Sequence, residues 1–329
     1  MSQIIAYPGL DTNGADPNAI LAMNKTLYVA EIQAAFHRHA VTKGRHLNRE
    51  LVGAKSAKFP VSGRKIAQYL KPGKSLDDQR KDTEQTEIEV FLDGLLTVDD
   101  MVTDILTMMS HVDYRAEYVD QQAQALALSF DGSMFAEMAK LAAAKTENLV
   151  GLGKSDVLEG ILATGDYGVT EAMGLKIFGM LGEIATKMDN NYVPQTERIL
   201  YIKPEGHRAL TRSLVAIDRN YGATGSIIEG NVLKLLNFDI IPVPHLTIGG
   251  ADAANVLQGD GHVFPAAYVD TAMMIATHRR AIASVTMKDI TVETGRRIEY
   301  QATQLVSSCS FGCKGMRPEA TFMGIITKN

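Results

Sequence analysis

The spacing of apolar residues predicts one long helix near the middle of the chain. Large apolar side chains recur there in steps of three or four residues, at Leu126, Phe130, Met134, Met138 and Leu141. Steps of this size place side chains on one face of a helix. With Asp113 as a suitable N-cap, we expect a helix over residues 113–145, about 33 residues and about 50 Å long. Such a length is typical of a strut rather than of an ordinary globular helix.

Alternation of apolar and polar residues predicts strands in two other regions. Ile88, Val90 and Leu92 alternate with polar residues, and several turn signals separate them from the short apolar run at residues 59–61. We therefore expect residues 55–92 to form an extended two-stranded loop. Near the end of the chain, a long half-buried strand or hairpin is expected because these even positions are apolar: Ile290, Val292, Ile298, Tyr300 and Ala302.

The same patterns predict the remaining elements. Helices are expected at residues 20–40, 99–110, 170–189, 204–217 and 226–236, and strands at 198–202 and 238–243. The helix at 99–110 is expected because these apolar residues fall near one helix face: Val98, Met101, Val102, Ile105, Met108 and Met109. Residues 150–280 should form a compact mixed α/β domain that includes a Gly-rich loop at 245–261. A turn-rich arm is expected at residues 1–19, and the tail after residue 280 should return to β-structure. The predicted fold class is α+β.

Charge divides the extended region into a basic and an acidic half. Residues 43–74 carry nine lysines and arginines against one acid, whereas residues 77–104 carry ten acids against Arg80 and Lys81. The short apolar runs between them cannot fill a core, and so long an extension is uncommon unless it is functional. Complementary charges set register and partner choice across interfaces. The pattern favours a surface that docks onto copies of the same chain, and a solvated surface is the alternative.

Composition argues against several classes of protein. The 329 residues suffice for one large or two ordinary domains, and 46% of them are hydrophobic, so the chain can build a core. A net charge of −5 disfavours a dedicated DNA-binding protein. No apolar run reaches the length of a membrane span, and the first ten residues lack the pattern of a secretion signal. Because two cysteines make no disulfide framework, we expect folding in a reducing cytoplasm.

The sequence offers no clear motif for catalysis, cofactor binding or metal binding. Three fragments, at Gly53, Gly73 and Gly153, lack the glycine spacing of a phosphate-binding loop. Cys309 and Cys313 have no second pair of ligands at zinc spacing, which favours buried free thiols. No spacing typical of a catalytic triad or a metal site occurs at His111, His207, His245 and His262. We therefore expect no enzyme, no cofactor and no bound metal.

Short motifs from about residue 40 to the end of the chain resemble one family. In order, they are 53–60 (GAKSAKFP), 69–73 (YLKPG), 76–82 (LDDQRKD), 93–97 (DGLLT), 114–118 (YRAEY), 191–194 (NYVP), 243–247 (VPHLT), 262–266 (HVFPA) and 317–320 (RPEA). No single motif is diagnostic, but their order over most of the chain is specific. On these residues the chain resembles the major capsid proteins of short-tailed, T7-type bacteriophages, a family with the tailed-phage coat fold, also called the HK97 fold.

The resemblance implies a division of the chain and a structural function. It implies an N-terminal arm at 1–50, an E-loop across a neighbouring subunit at 51–95, a peripheral domain at 96–149 and 281–320 with a spine helix at 113–145, and an axial domain at 150–280 and 321–329. The chain would assemble in the host bacterial cytoplasm, as pentamers and hexamers, into an icosahedral virion capsid around double-stranded DNA. Its expected partners are other copies, a scaffolding protein, a portal, a minor capsid or decoration protein, and the DNA through weak non-specific contact. No membrane and no covalent cross-link between subunits are expected.

Residues of the charged extension are the candidate contacts between subunits. They are Lys55, Lys58, Phe59, Arg64, Lys65, Tyr69, Lys74, Asp77, Asp78, Arg80 and Asp82. Two alternatives remain, an encapsulin-like compartment shell with the same fold and a mixed α/β enzyme centred on residues 150–280. The long arm and the phage-like motifs argue against the first, and the lack of a ligand-binding motif argues against the second.

Overall fold

The structure, a computed structural model, describes most of the chain. The described residues are 32, 35–36, 39–65, 67, 69–80, 83–103, 114–213, 234–249 and 261–329. Of the helix expected at 20–40, Ile32, Ala35, Phe36 and His39 are helical, and the rest lies outside the described residues. The arm at 1–19, the expected N-cap Asp113 and residues 250–260 of the expected loop also lie outside them.

The chain divides into two compact units. The first draws on Met1–Ala40, Leu95–Ala127 and Lys288–Ser310, and the second on Val41–Gly94, Leu128–Met287 and Phe311–Asn329. Each unit contains both helix and strand in its described part, which confirms the α+β class. No helix in the described part of the chain is long and apolar enough to cross a membrane.

Twelve strands and four α-helices make up the described elements. The strands are β1 (Leu47–Glu50), β2 (Ser56–Ser62), β3 (Gln85–Phe91), β4 (Leu96–Thr103), β5 (Asp156–Leu162), β6 (Arg198–Ile202), β7 (Lys234–Leu235), β8 (Phe238–Pro242), β9 (Ala272–His278), β10 (Ile282–Arg297), β11 (Ala302–Gly315) and β12 (Thr321–Lys328). The helices are α1 (Leu76–Gln79), α2 (Tyr114–Ala144), α3 (Glu171–Asn190) and α4 (Pro204–Arg212). Short 3₁₀ turns lie at Thr164–Asp166, Ala266–Tyr268, Arg279–Ala281, Ile298–Tyr300 and Pro318–Ala320.

A six-stranded mixed sheet forms the centre of the second unit. Its strand order is β5-β12-β9-β6-β8-β7, with β12 parallel to β5 and antiparallel to β9. Every residue of β6 and β9 is buried, as expected for central strands covered on both faces. The strands expected at 198–202 and 238–243 are confirmed as β6 and β8, with β8 ending one residue earlier at Pro242.

Helices α3 and α4 pack closely against each other in the same unit. A Cβ atom on Gly174 would lie 2.3 Å from the carbonyl oxygen of Ala209, so only glycine permits this approach. The amide of Met173 donates to the Thr170 hydroxyl, which caps the first turn of α3. Helix α4 begins at Pro204 as predicted, and α3 begins at Glu171, one residue after the expected start. However, α4 ends at Arg212, before the expected end at residue 217.

The long central helix is confirmed as α2, which has 31 residues. Its expected core residues Leu126, Phe130, Met134 and Met138 are buried, because they fall on one face at helical spacing. Asp131 lies between two of them and is completely buried as well. A buried carboxylate requires hydrogen-bonding partners, and those of Asp131 come from a distant segment, as described below.

Two predicted helices are wrong where the structure describes them. Residues 96–103 form strand β4, antiparallel to β11, because Leu96, Val98 and Val102 alternate with exposed residues. Met101, assigned to the helical core, points outward and is 43% exposed. Residues 234–235, at the end of the helix expected over 226–236, form β7. Leu236 and Asn237 both have positive φ, as in a two-residue hairpin turn leading into β8.

A four-stranded sheet has the order β1-β10-β11-β4. The expected long half-buried strands in the tail are confirmed as β10 and β11, and Ile290, Val292 and Ala302 are buried as the alternation predicts. Ile298 and Tyr300 are exposed instead, because they lie in the 3₁₀ turn that connects the two strands. Within the second unit, β1 runs parallel to the first residues of β10.

Candidate assembly surface

Residues 55–92 form an antiparallel hairpin, which confirms the predicted two-stranded loop. Strands β2 and β3 pair from Ser56 opposite Phe91 to Ser62 opposite Gln85. Two flanking bonds extend the ladder, from the amide of Leu92 to the carbonyl of Lys55 and from the amide of Gly63 to the carbonyl of Glu84. We call residues 55–92 the charged hairpin.

One face of the charged hairpin closes a hydrophobic core. Alternate side chains of β2 are buried, and Phe59, only 8% exposed, packs with Val90, Ala283, Val285 and Met316. The guanidinium of Arg49 covers the Phe59 ring at 4.8 Å from its centroid. Phe59 therefore stabilises the hairpin within its own chain, which distinguishes it from the exposed candidate contact residues.

The basic side chains of the hairpin fall into two groups. Lys58 and Arg64 already have partners in the same chain. Lys58 Nζ lies 3.2 Å from Glu87 Oε2, and Arg64 stacks on Tyr192 at 4.1 Å from the ring centroid while donating to the carbonyl of Asn191. The exposed side chains of the second group make no ion pair with any described residue: Lys55, Lys65 and Lys74. Their charge is available to another molecule.

The tip of the hairpin exposes large apolar side chains. Tyr69 is 96% exposed, and Leu70 and Leu76 are exposed by more than half. The tip turns at Gly73, with the amide of Lys74 donating to the carbonyl of Lys71 at 3.1 Å. Short helix α1 follows and carries the ion pair Arg80–Asp77 at 2.7 Å. The side chain of Asp78 and the whole of Asp82 lie outside the described residues.

A buried ionic cluster fixes the base of the hairpin. Asp93, two residues after β3, accepts a hydrogen bond from His262 Nε2 at 2.7 Å. The other ring nitrogen, Nδ1, lies 3.0 Å from Glu137 Oε1 on α2. Lys140 completes the cluster by donating to the same Glu137 oxygen at 3.0 Å and to the carbonyl of Gly261 at 2.7 Å. We call Asp93, Glu137, Lys140, His262 and Cys313 the base cluster.

Electrostatics of the base cluster favour a charged imidazolium. Burial alone would lower the pKa of His262, but the Cys313 sulfur and the hydrogen bonds to Asp93 and Glu137 raise it to about 12. Burial raises the pKa of the Cys313 thiol to about 11. Burial opposes ionisation of Glu137, yet His262 and Lys140 keep its pKa below the ordinary value. For Asp93, burial outweighs the same imidazolium and raises the pKa.

Three of these residues could also hold a metal ion by their chemistry. The ligand atoms of Asp93, His262 and Cys313 lie within 4.8 Å of one another. A metal-ligating imidazole needs an unprotonated nitrogen lone pair, however, and both ring nitrogens here face carboxylate oxygens. The arrangement therefore fits an ion-pair cluster that anchors the hairpin.

A second buried carboxylate anchors the segment that leads into β1. Asp131 on α2 accepts from the amides of Val41 and Thr42, at 2.7 and 3.0 Å, and from the Thr42 hydroxyl at 2.5 Å. His245 Nε2 lies 3.3 Å from the same carboxylate. Sequence reasoning missed both carboxylate clusters, because the histidine and backbone partners of their aspartates lie 89 to 169 residues away and leave no local spacing signal.

Comparison with known proteins identifies relatives along most of the chain. A family described as "Gp10A-like: Major capsid protein" matches residues 58–323. The major capsid protein of Enterobacteria phage T3 is 37% identical over 339 residues, 99% of this chain and 97% of that protein. The major capsid protein of Escherichia phage T7 is 36% identical over 312 residues, 91% of this chain and 90% of that protein. The capsid structure of the cyanophage P-SCSP1u has a similar fold, with a TM-score of 0.74 and 24% identity over 88% of this chain and 89% of that chain.

Proposed function

Because the chain belongs to the Gp10A-like family of major capsid proteins, we propose that its charged hairpin joins neighbouring subunits of a bacteriophage head. The chain is a major capsid protein of the T7 and T3 type, with the fold of tailed-phage coat proteins. Its role in the virion is to form the icosahedral shell. We propose that this role is structural rather than catalytic, and that pentamers and hexamers are the assembling units.

The observation that carries the proposal is the exposed apolar tip. Tyr69, Leu70 and Leu76 present large apolar side chains close together in sequence. Clustered exposed apolar side chains mark surfaces that another protein covers. Tyrosine is also among the residues that most often dominate binding energy at interfaces. A neighbouring copy is the partner of choice, because a coat protein meets its own surface at every position in the shell.

Charge complements the apolar tip. Lys65 and Lys74 flank it without an ion pair to any described residue, and Lys55 is similarly available near the base. We propose that these three residues contact acidic side chains of the adjacent subunit, with Asp77 and Arg80 of the same tip, and Lys58 and Arg64 beside it, at the edge of the contact. A single surface ion pair contributes only about 0–1 kcal/mol. Repetition around each subunit makes such weak contacts sufficient for a stable shell.

We propose the division of the chain into domains from its membership of the capsid protein family. Residues 1–50 serve as an arm, 51–95 as the E-loop, 96–149 with 281–320 as a peripheral domain around the α2 spine, and 150–280 with 321–329 as an axial domain. A scaffolding protein, a portal and a minor capsid or decoration protein are the proposed partners during assembly in the host cytoplasm. Packaged double-stranded DNA would meet the shell only weakly, because the chain carries a net charge of −5.

The test reverses the two available charges at the tip. A Lys65→Glu, Lys74→Glu double variant should remain a folded subunit but fail to form shells under negative-stain electron microscopy. The matched control Lys65→Arg, Lys74→Arg keeps both charges and should assemble normally. Circular dichroism and size-exclusion chromatography would establish that both variants fold. Normal shells from the charge-reversed variant would reject the proposed contact.

A further inference from the structure

A pocket of about 450 Å³ lies in the second unit beside the carboxyl end of α3. Lys145, Lys154 and Lys187 line it, together with Asp156 at the start of β5. Lys154 and Ser155, which also line it, end a loop with the sequence GLGKS at residues 151–155. The loop includes Gly153, which lacks the glycine spacing of a phosphate-binding loop. It is therefore not a nucleotide-binding motif of that type.

Positive charge exceeds negative charge in this pocket. Lys187 Nζ lies 2.5 Å from Asp156 Oδ2, and Lys145 Nζ lies 3.7 Å from Oδ1 of the same carboxylate. One carboxylate therefore faces two ammonium groups. Lys154 makes no ion pair with any residue that the structure describes. An anion with one or two negative charges would balance the excess, and charge-assisted hydrogen bonds to ammonium groups are among the strongest in proteins.

Ser155, one of the residues that line the pocket, carries an unused hydrogen-bonding group. Ser155 is buried, and its hydroxyl has no hydrogen-bond partner among the described residues. Leaving such a group unsatisfied costs free energy, which an acceptor atom in the pocket would recover. Asn190 and Asn191 also line the pocket. Nδ2 of Asn191 donates to the carbonyl of Glu319 at 3.1 Å, which orients that amide.

Gly153 brings this loop against the end of α3. Its φ of +113° is one that other residues rarely adopt, and a Cβ atom would lie 2.4 Å from Oδ1 of Asn191. Glycine is thus required for the loop to approach the helix end so closely. Lys154 and Ser155 follow immediately, so the same close approach places an ammonium group and a buried hydroxyl at one wall of the pocket.

We propose that this pocket binds a phosphate group. A phosphate carries one or two negative charges and several acceptor oxygens, which match the ammonium excess and the hydroxyl of Ser155. Lysine is a common phosphate-binding residue that acts as a point charge. The phosphate belongs either to a small monoester or free ion, or to the backbone of a nucleic acid. The inference does not depend on the proposed role of the charged hairpin.

Isothermal titration calorimetry on the full-length protein tests the proposal with three probes: inorganic phosphate, deoxyadenosine monophosphate and a short DNA duplex. Lys154→Gln should weaken binding roughly tenfold, and Ser155→Ala roughly threefold. Asp156→Asn should strengthen binding, because it releases Lys145 and Lys187 from their shared carboxylate. Lys176→Gln removes an exposed lysine of α3 that does not line the pocket, and it should change nothing.

The probes distinguish the two sources of phosphate. Binding of the small probes but not of the duplex would assign the pocket to small phosphates. Duplex binding that Lys154→Gln weakens and Lys176→Gln spares would assign it to a nucleic-acid backbone. If no probe binds the parent protein, or if Lys154→Gln and Lys176→Gln weaken binding equally, the proposal is wrong.

Discussion

Nε2 of His262 lies 2.7 Å from Oδ2 of Asp93, a residue 169 positions earlier in the chain. Asp93 follows the return strand of the charged hairpin by two residues, and its own amide donates to the carbonyl of Phe311 at 3.1 Å. Two interactions therefore hold the end of the hairpin: the contact between the Asp93 side chain and His262, and the backbone hydrogen bond to Phe311. Because Glu137 on α2 binds the other nitrogen of the same ring, the base of the hairpin is coupled to the long helix.

Replacement of His262 by glutamine should destabilise the second unit strongly. The variant leaves the buried carboxylates of Asp93 and Glu137 without their shared cation, and removing one partner of a buried ion pair costs about 3–5 kcal/mol. The free energy of unfolding from urea titration would measure the loss. His39→Gln is the matched control, because its ion pair with Asp120 is partly exposed and contributes at most about 1 kcal/mol. Equal losses in the two variants would contradict the anchoring role of His262.

The base cluster also predicts how stability depends on pH. The pKa of His262 is raised from 6.5 to about 12, so its contribution is fully present below pH 6.5 and is lost as the pH rises towards 12. This loss has a slope of at most about 1.4 kcal/mol per pH unit. Cys313, whose pKa is raised to about 11, adds a loss of the same sign above its ordinary value of 9.

At acid pH the two carboxylates act in opposite directions. The pKa of Glu137 lies below its ordinary 4.5, so its contribution is present above that value and is lost as the pH falls through the folded pKa. The pKa of Asp93 is raised by burial, so its protonation favours the folded state and offsets part of this loss. Unfolding free energies at several pH values, for the parent and for His262→Gln, would separate these effects. The parent should lose stability more steeply than the variant between pH 7 and 10, and parallel curves would disprove the assignment.

The two helix glycines Gly174 and Gly179 should respond oppositely to alanine. A Cβ atom at Gly174 would lie 2.3 Å from the backbone oxygen of Ala209, so Gly174→Ala must push α3 and α4 apart. Overpacking of this kind costs about 1–3 kcal/mol. A Cβ atom at Gly179 would meet nothing within 4 Å, so Gly179→Ala should stabilise the helix by up to about 1 kcal/mol. Thermal unfolding midpoints would measure both, and a shift of the same sign in both variants would contradict the packing of α3 on α4.

Elements whose apolar residues follow a single helix or strand spacing could be predicted from the sequence. Elements whose apolar residues fit both spacings could not. Strand β6 has four consecutive apolar residues after Arg198, and α2 repeats apolar residues at helical steps over its core face. Residues 96–103 satisfy both templates, since Val98, Met101 and Val102 share a helix face while Leu96, Val98 and Val102 share a strand face. These residues form a strand because they pair with β11. A local pattern of residues cannot reveal a partner strand some 200 residues away.

Some features of the charged hairpin could be predicted from the sequence, and others could not. The alternation at Ile88, Val90 and Leu92 predicted the charged hairpin, because strand pairing there is local in sequence. Burial of Phe59 among residues near 285 and 316 could not be predicted from the same pattern, since the core that receives it is assembled from the far end of the chain. The partners of His262 could not be predicted either, because Asp93 and Glu137 are contributed by two other segments of the chain.

Tyr69 and Phe59 should separate assembly from folding, although both lie on the charged hairpin. Phe59 is buried in its own chain, so Phe59→Ala should lower the free energy of unfolding by about 3–5 kcal/mol. Tyr69 is 96% exposed, so Tyr69→Ala should leave that free energy within about 0.5 kcal/mol of the parent. Its effect should appear in assembly, where loss of a tyrosine at an interface typically costs at least about 1–2 kcal/mol.

The measurement for Tyr69→Ala is the protein concentration at which shells appear by light scattering and electron microscopy. Since about 1.4 kcal/mol corresponds to a tenfold change in an equilibrium constant, the variant should need roughly tenfold more protein than the parent. Tyr192→Ala is a suitable control, because Tyr192 is also an exposed tyrosine but stacks on Arg64 outside the tip. Shells of Tyr69→Ala at the parent's concentration would show that the apolar tip does not contact a neighbouring subunit. An equal delay in Tyr69→Ala and Tyr192→Ala would move the contact from the apolar tip to the end of β2, where Arg64 stacks on Tyr192.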